Sequence, residues 1–381
     1  MLSRLLVAVV VASAGANAAT IDFTSNAGLE ATCTSYVKAN PRSLSKDPDR
    51  LAYAICTSLA LAKDVATWLF RDAQQARWDD AGQRDGVRAR LEGYLATVGK
   101  VRSALEPVRA KKPLFVVAPG TWEVDFDGDG RVSVNERHVF WIPKRGRDVM
   151  PMERAMDAAQ YRARYTSPVV SVDQSDIHWA LAYCNFLEAA MNLVLAYDVK
   201  GPGFDSIALV HPERIRTVAY KRMLEGVRQS MKLREALMDE TDDDREWIAN
   251  PLQSNTSFPL VMDAGTFATW GALLQEMQRL LLGKTLLGGR VETGGMAGIA
   301  DITMGLCKPG EGINVRDLFV KPLKQPLDRN ELAARCAAPT QAVPFTGLAA
   351  LASESIRRNA GRTQGEMSGE WMVLRHLYWV N

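Results

Sequence analysis

The sequence predicts a mainly α protein of packed antiparallel helices, with a small acidic loop inserted after the second long helix and an irregular, Gly-rich C-terminal region. Three observations lead there. Apolar residues recur at gaps of three and four over several long stretches, which is the period of a helix with one buried face. Cap residues and Pro or Gly bracket those stretches. A run from Gly288 to Gly312 holds eight glycines, too many for regular structure. With 47% apolar residues the chain has ample material for a core.

Asp47-Pro48 reads as a helix cap followed by the first helical residue. The helix is expected to run to about Trp78, with Ile55, Leu59, Ala62, Ala66 and Leu69 inward. A second helix places Val87, Leu91, Tyr94, Val98, Val101, Leu105 and Val108 at alternating gaps of four and three. That seam predicts two core helices packed side by side, and a partner surface is its alternative use. Gly93 and Gly99 suit close approach, and Pro107 and Pro113 end the segment. Asp173 and Asp176 have the spacing of a helix cap. They open the most apolar helix, Gln174 to about Tyr197, with Ile177, Leu181, Cys184, Leu187, Met191 and Val194 as its core face. His211-Pro212 starts a helix to about Met238, with Ile215, Val218, Val227 and Met231 inward.

Residues 239–246 are strongly acidic. Acids oppose the dipole at a helix C-terminus, so the helix is expected to break and Thr241–Asp244 to cap a new one. A second metal site there would lack the glycine and spacing of a known loop. Gly265–Leu282 is expected to be helical, carrying Trp270, Leu273, Leu274, Met277 and Leu281, with Gly283 as its stop. Gly283-Lys284-Thr285 is not a phosphate loop, because the first glycine of that motif would fall on Gln278. Short strands are expected around Met304 and Val315, a helix near Leu348–Arg358, and an apolar tail, Trp371–Trp379, docked on the core.

The strongest chemical signal is Asp125-Phe-Asp127-Gly-Asp129-Gly130-Arg131-Val-Ser133-Val-Asn-Glu136. Carboxylates crowded this closely repel one another unless a cation sits between them. These residues resemble an EF-hand calcium loop, whose ligands stand at positions 1, 3, 5, 7, 9 and 12 with glycine at 6. The resemblance implies side-chain ligands from Asp125, Asp127, Asp129 and Glu136, a backbone carbonyl from Arg131, and a water-bridged contact from Ser133. Gly130 fills the sharp turn, and Val132 is expected to anchor the loop to the core. The resemblance covers residues 125–136 alone. Extended chain is expected upstream, with room for one helical turn, and a short helix over Asn135–Ile142 downstream. With a single such loop, the implied role is a calcium staple rather than a paired sensor. The expected fold is thus mainly α with an EF-hand-like calcium loop insert.

Residues 1–18 have a basic start at Arg4, an apolar stretch from Leu5 to Ala14 and a small-x-small cleavage site before Ala19, the pattern of a secretory signal peptide. That stretch is too short to span a bilayer, so no transmembrane segment is expected in the mature chain. The location implied is periplasmic or secreted. The remainder divides into a helical segment at 19–112, the calcium loop at 113–145, and a helical segment with Gly-rich loops at 146–381. Of five cysteines, Cys33–Cys56 and Cys307–Cys336 are the expected pairs and Cys184 a buried thiol. The formal charge of +2, which becomes +1 without Arg4, argues against nucleic acid as a partner.

His178, Asn185, Glu188 and Asn192 share one stripe of the apolar helix. The stripe is expected to face solvent or a satisfied polar network; the alternative is a pocket. Catalytic candidates are Asp173, Asp176 and His178, with His178 as a general base. The chain holds no zinc-protease, serine-hydrolase or dinucleotide motif. The expected function is a calcium-binding protein with a binding or scaffolding role. An envelope hydrolase, or a component of an envelope or secretion assembly with a protein partner, is the alternative.

Overall fold

In the computed structural model, residues 20–73, 80–144, 158–199, 206–258, 262–288, 306–308, 310–326 and 328–338 are described. The expected signal peptide, the strand expected near Met304, the helix expected near Leu348 and the expected apolar tail lie outside them. Ten α-helices and only short antiparallel strand pairs make up the described regular structure, so the chain is mainly α.

Helix α1 (Asn26–Tyr36) is capped by Ser25, which accepts from the Gly28 amide. Helices α2 (Asp47–Arg71) and α3 (Ala81–Leu105) follow, α3 capped by Asp80. Cys33 is bonded to Cys56, joining α1 to α2. The α3 seam turns inward: Tyr94, Val98, Val101 and Leu105 are all buried. This part of the seam is therefore spent on the chain's own core, while Val87 and Leu91 nearer the start of α3 are half-buried. Helix α2 buries its first half, but Leu69 is 48% exposed and Ala62 is exposed, against expectation. Gly99 does sit close to a neighbour, 3.8 Å from Glu188 Oε1 by its hypothetical Cβ, whereas Gly93 faces open space.

Strand β1 (Phe115–Val117) and strand β4 (Val170–Val172) pair antiparallel, Phe115 opposite Val172. The segment between them is an excursion containing the acidic loop, helix α4 (Val134–Arg137), strands β2 (Ile142–Pro143) and β3 (Tyr165–Thr166), and helix α5 (Ala158–Arg164). Helix α6 (Gln174–Leu195) leaves β4 directly, through a reciprocal cap in which Asp173 accepts from the Ser175 amide and Asp176 accepts from the Asp173 amide. Strands β5 (Tyr197–Val199) and β6 (Ile207–Leu209) form a hairpin. A π-helical segment, Arg214–Ala219, runs into α7 (Tyr220–Asp239). Helix α8 (Ala264–Leu281) stops at Gly283, whose φ of +69° suits glycine.

Helix α6 is the shared wall of three apolar clusters. Ile177, Leu181 and Cys184 pack with α1–α3 and β1–β4. Trp179 lies against Leu233, Phe258, Phe267 and Trp270. Ala189 and Ala196 pack with Ile215, Val227 and Leu281. Gly226 of α7 permits the crossing, since a Cβ there would come within 2.4 Å of the Phe186 ring.

Further expectations fail. Leu187 and Val194 of α6 are 49% and 61% exposed, and Val218 before α7 is 37% exposed. No helix follows the break after α7: residues 241–245 form a turn, in which Arg245 takes φ 28°. Val315 starts helix α9 (Val315–Val320) rather than a strand, because Asn314 caps it by accepting from the Arg316 amide. Strands β7 (Leu287–Gly288), β8 (Gly312–Ile313) and β9 (Cys336–Ala337) complete a small sheet, with helix α10 (Arg329–Ala333) beside it. The second disulfide, Cys307–Cys336, closes this region. Among the described residues no helix is long and apolar enough to cross a membrane.

Candidate metal centre

The acidic loop is built by local hydrogen bonds that each aspartate makes to the amide ahead of it. Asp125 Oδ1 accepts from Gly128 N (2.6 Å) and its Oδ2 from Gly130 N (3.2 Å). Asp127 accepts from Asp129 N, and Asp129 from Arg131 N. Gly128 and Gly130 have φ of +71° and +87°, which an L side chain resists. Glu136 reaches back across the loop and is buried. Its Oε1 accepts from Phe126 N and Asp127 N, and its Oε2 from Ser133 N. Burial pushes the Glu136 carboxyl up, but the amides of Ser133, Asp127 and Phe126 outweigh it and hold it below the ordinary value.

This geometry brings carboxylate oxygens of Asp125, Asp127 and Glu136 within 4.8 Å of one another. Asp129 is exposed and stands outside that group. Ser133 is not turned toward the loop; its hydroxyl caps α4 by accepting from Glu136 N. The anchor is Phe126 rather than Val132. Phe126 is buried against Phe140, and Val132 is only half-buried. Helix α2 braces the loop from beneath: Thr67 Oγ1 donates to Phe126 O and Arg71 Nη1 to Gly128 O. Lys63 Nζ stands 3.7 Å from Asp125 Oδ2 and offsets part of the negative charge. The upstream flank is a 3-10 turn, Pro119–Thr121, and the downstream helix has four residues, ending before Ile142 enters a strand.

An all-oxygen donor set around a glycine turn fits a hard divalent cation. Asp125, Asp127 and Glu136 would hold it, while Asp129 and Ser133, expected as further ligands, stand apart from them. A bound cation would neutralise the carboxylates and tie the loop to α4.

The catalytic candidates are not assembled as a dyad. Asp176 is occupied at the helix cap, and His178 lies between Gln229 Oε1 at 2.8 Å and Gln174 Nε2 at 3.2 Å. Burial lowers the His178 pKa. Cys184 is buried, and burial pushes its thiol up to about 12, far from a nucleophile's range.

The polar stripe of α6 is a satisfied network in the interior. Asn185, Glu188 and Asn192 are all buried. Glu188 accepts from Arg102 Nε at 2.6 Å and from Arg222 Nε at 2.7 Å. Arg222 also donates to Asn185, and Arg214 to Asn192. Three arginines from α3, α7 and the π-helical segment thus meet one face of α6.

The structure also joins residues that sequence reasoning kept apart. Asp173 meets Glu240 and Glu246, with carboxylate oxygens within 4.8 Å of one another. Burial first, and then the neighbouring acids Glu240 and Asp173, push Glu246 up to about 9. Burial and Asp173 raise Asp176 and Glu240 as well. The acidic run at 239–246 was the one signal that pointed there. Comparison with protein-family models, curated proteins and solved structures finds no match.

Proposed function

We propose that this chain is a calcium-binding protein of the periplasm or the secreted milieu, with a binding or scaffolding role rather than a catalytic one. The observation that carries it is the convergence of Asp125, Asp127 and Glu136 oxygens around the Gly128–Gly130 turn. Two disulfides are consistent with an oxidising compartment, and calcium outside the cytosol is abundant enough to occupy a single, modest site. The loop sits on α2 and inside the β1–β4 excursion. A cation there would stiffen the surface that α2, α4 and β2 share.

The test is calorimetry and thermal unfolding of chelator-stripped protein on adding Ca²⁺. Saturation at a hundredfold excess over Kd should add about 2.7 kcal/mol of stability. Asp127→Asn combined with Glu136→Gln should remove that gain. A wild-type protein that shows neither heat nor thermal shift refutes the reading.

A further inference from the structure

Helix α7 ends at Asp239, and from Glu240 the chain folds back over the start of α6. Ser171 N donates to Arg245 O at 3.1 Å, and Glu246 N donates to Asn255 O at 2.9 Å, which fix the backbone on both sides. Glu246 is driven inward to 2% exposure, and its carboxylate joins those of Asp173 and Glu240. Asp176, which accepts from the Asp173 amide, is a fourth acid beside them. Among the described residues no Lys or Arg forms an ion pair with any of the four.

Buried carboxylates are ordinarily paired, hydrogen-bonded or bound to metal. Two of these are steadied from outside: Ser175 donates its amide and hydroxyl to Asp173 Oδ1, and Gln253 Nε2 donates to Glu240 Oε2. Glu246 is different. Its Oε2 is buried with no hydrogen-bond partner, so a buried acceptor on one of the clustered acids is left unsatisfied. Protons on several acids, or one cation, can fill such a pocket. A single divalent ion neutralises two charges at once and gives the orphan oxygen a partner.

We propose that Asp173, Glu240 and Glu246 bind a hard divalent cation of the calcium, magnesium or manganese class, independent of the loop at 125–136. The donor set is oxygen only, which selects such ions over zinc or copper. The ion fastens the turn after α7 to the first turn of α6, joining residues far apart in the chain. Ser175 and Gln253 orient two of the ligands, the usual role of outer partners at a metal site.

The experiment counts ions on folded, chelator-stripped protein by calorimetry, titrating Ca²⁺, Mg²⁺ and Mn²⁺ in turn. In an Asp125→Asn/Asp127→Asn background, one equivalent of at least one of these ions should still bind. Adding Glu246→Gln, or separately Glu240→Gln, should abolish it while the circular dichroism is kept. Trp247 lies beside Glu246 and edge-on to Phe258 at 5.5 Å, so its emission should shift on binding in that same background. No uptake of any of the three ions there overturns the proposal, as does uptake that both Gln variants retain. Uptake lost only through Asp125 and Asp127 supports the loop and rejects this site. Uptake lost only through Glu246 and Glu240 does the reverse.

Discussion

Replacing Glu188 by Gln keeps the shape of the side chain and removes its charge from a buried triad. The carboxylate is 6% exposed and takes Arg102 Nε at 2.6 Å and Arg222 Nε at 2.7 Å, whose side chains are 12% and 20% exposed. Breaking a buried pair by removing one partner costs about 3–5 kcal/mol, because the remaining charge is left desolvated. Here the low end applies. Arg102 keeps Glu106 and Arg222 keeps Asn185 Oδ1, so neither guanidinium is fully abandoned. Glu188→Gln should therefore cost about 3 kcal/mol. Arg222→Met leaves Glu188 with Arg102, and should cost about 1.5–3 kcal/mol, the worth of a charged hydrogen bond. Equilibrium urea unfolding followed by far-ultraviolet circular dichroism measures both. If Glu188→Gln stays within about 1 kcal/mol of the wild type, or Arg222→Met costs the larger amount, the triad is not the buried electrostatic centre described.

Gly226→Ala should destabilise by about 1–3 kcal/mol through overpacking, more than the ~1 kcal/mol gained in helix propensity. Its Cβ would meet Phe186 at 2.4 Å, and a more stable variant in the same urea assay would contradict that crossing. Converting both Cys33 and Cys56 to Ser opens a loop of sequence separation 23, which should cost about 3 kcal/mol by loop-closure entropy, read as a lower melting temperature. His178 is held neutral by burial, so its imidazole should titrate below the ordinary 6.5 by proton magnetic resonance. The unfolded chain then binds more protons than the folded one just below that value. This contribution is accordingly full above it and lost as pH falls through the folded pKa. A midpoint at or above the ordinary value would show that burial does not govern His178.

What was legible in the chain was what neighbours in sequence decide. The cap formed by Asp173 and Asp176, the stop at Gly283 and the glycine turn of the acidic loop depend on contacts within a few residues. Both disulfide pairs joined near segments and formed as expected. The second half of α6 was misread for a physical reason. Periodicity sends apolar residues inward, yet Leu187 and Val194 point out, and Asn185, Glu188 and Asn192 point in. Their burial is tolerable only because arginines on distant helices reach them, and no local pattern carries that. The turn at 241–245 was misread similarly. Asp243, expected to help cap a helix, instead accepts from the amides of Ser254 and Asn255 across the loop. That pairing draws Glu246 into its cluster and was invisible to a reading of residues in order.

The two sulfur bridges differ in setting: Cys56 of the first is buried in the same apolar cluster as Cys184, while the second lies beside α9 and α10, and α3, α6 and α7 have none between them. Opening the first bridge should therefore loosen the middle of the molecule, where the helices carry no other bridge. Cys184, buried in that middle, would stay silent to thiol reagents until the helices themselves part. Its labelling rate is thus a clock for opening of the centre, and should rise when the first bridge is removed.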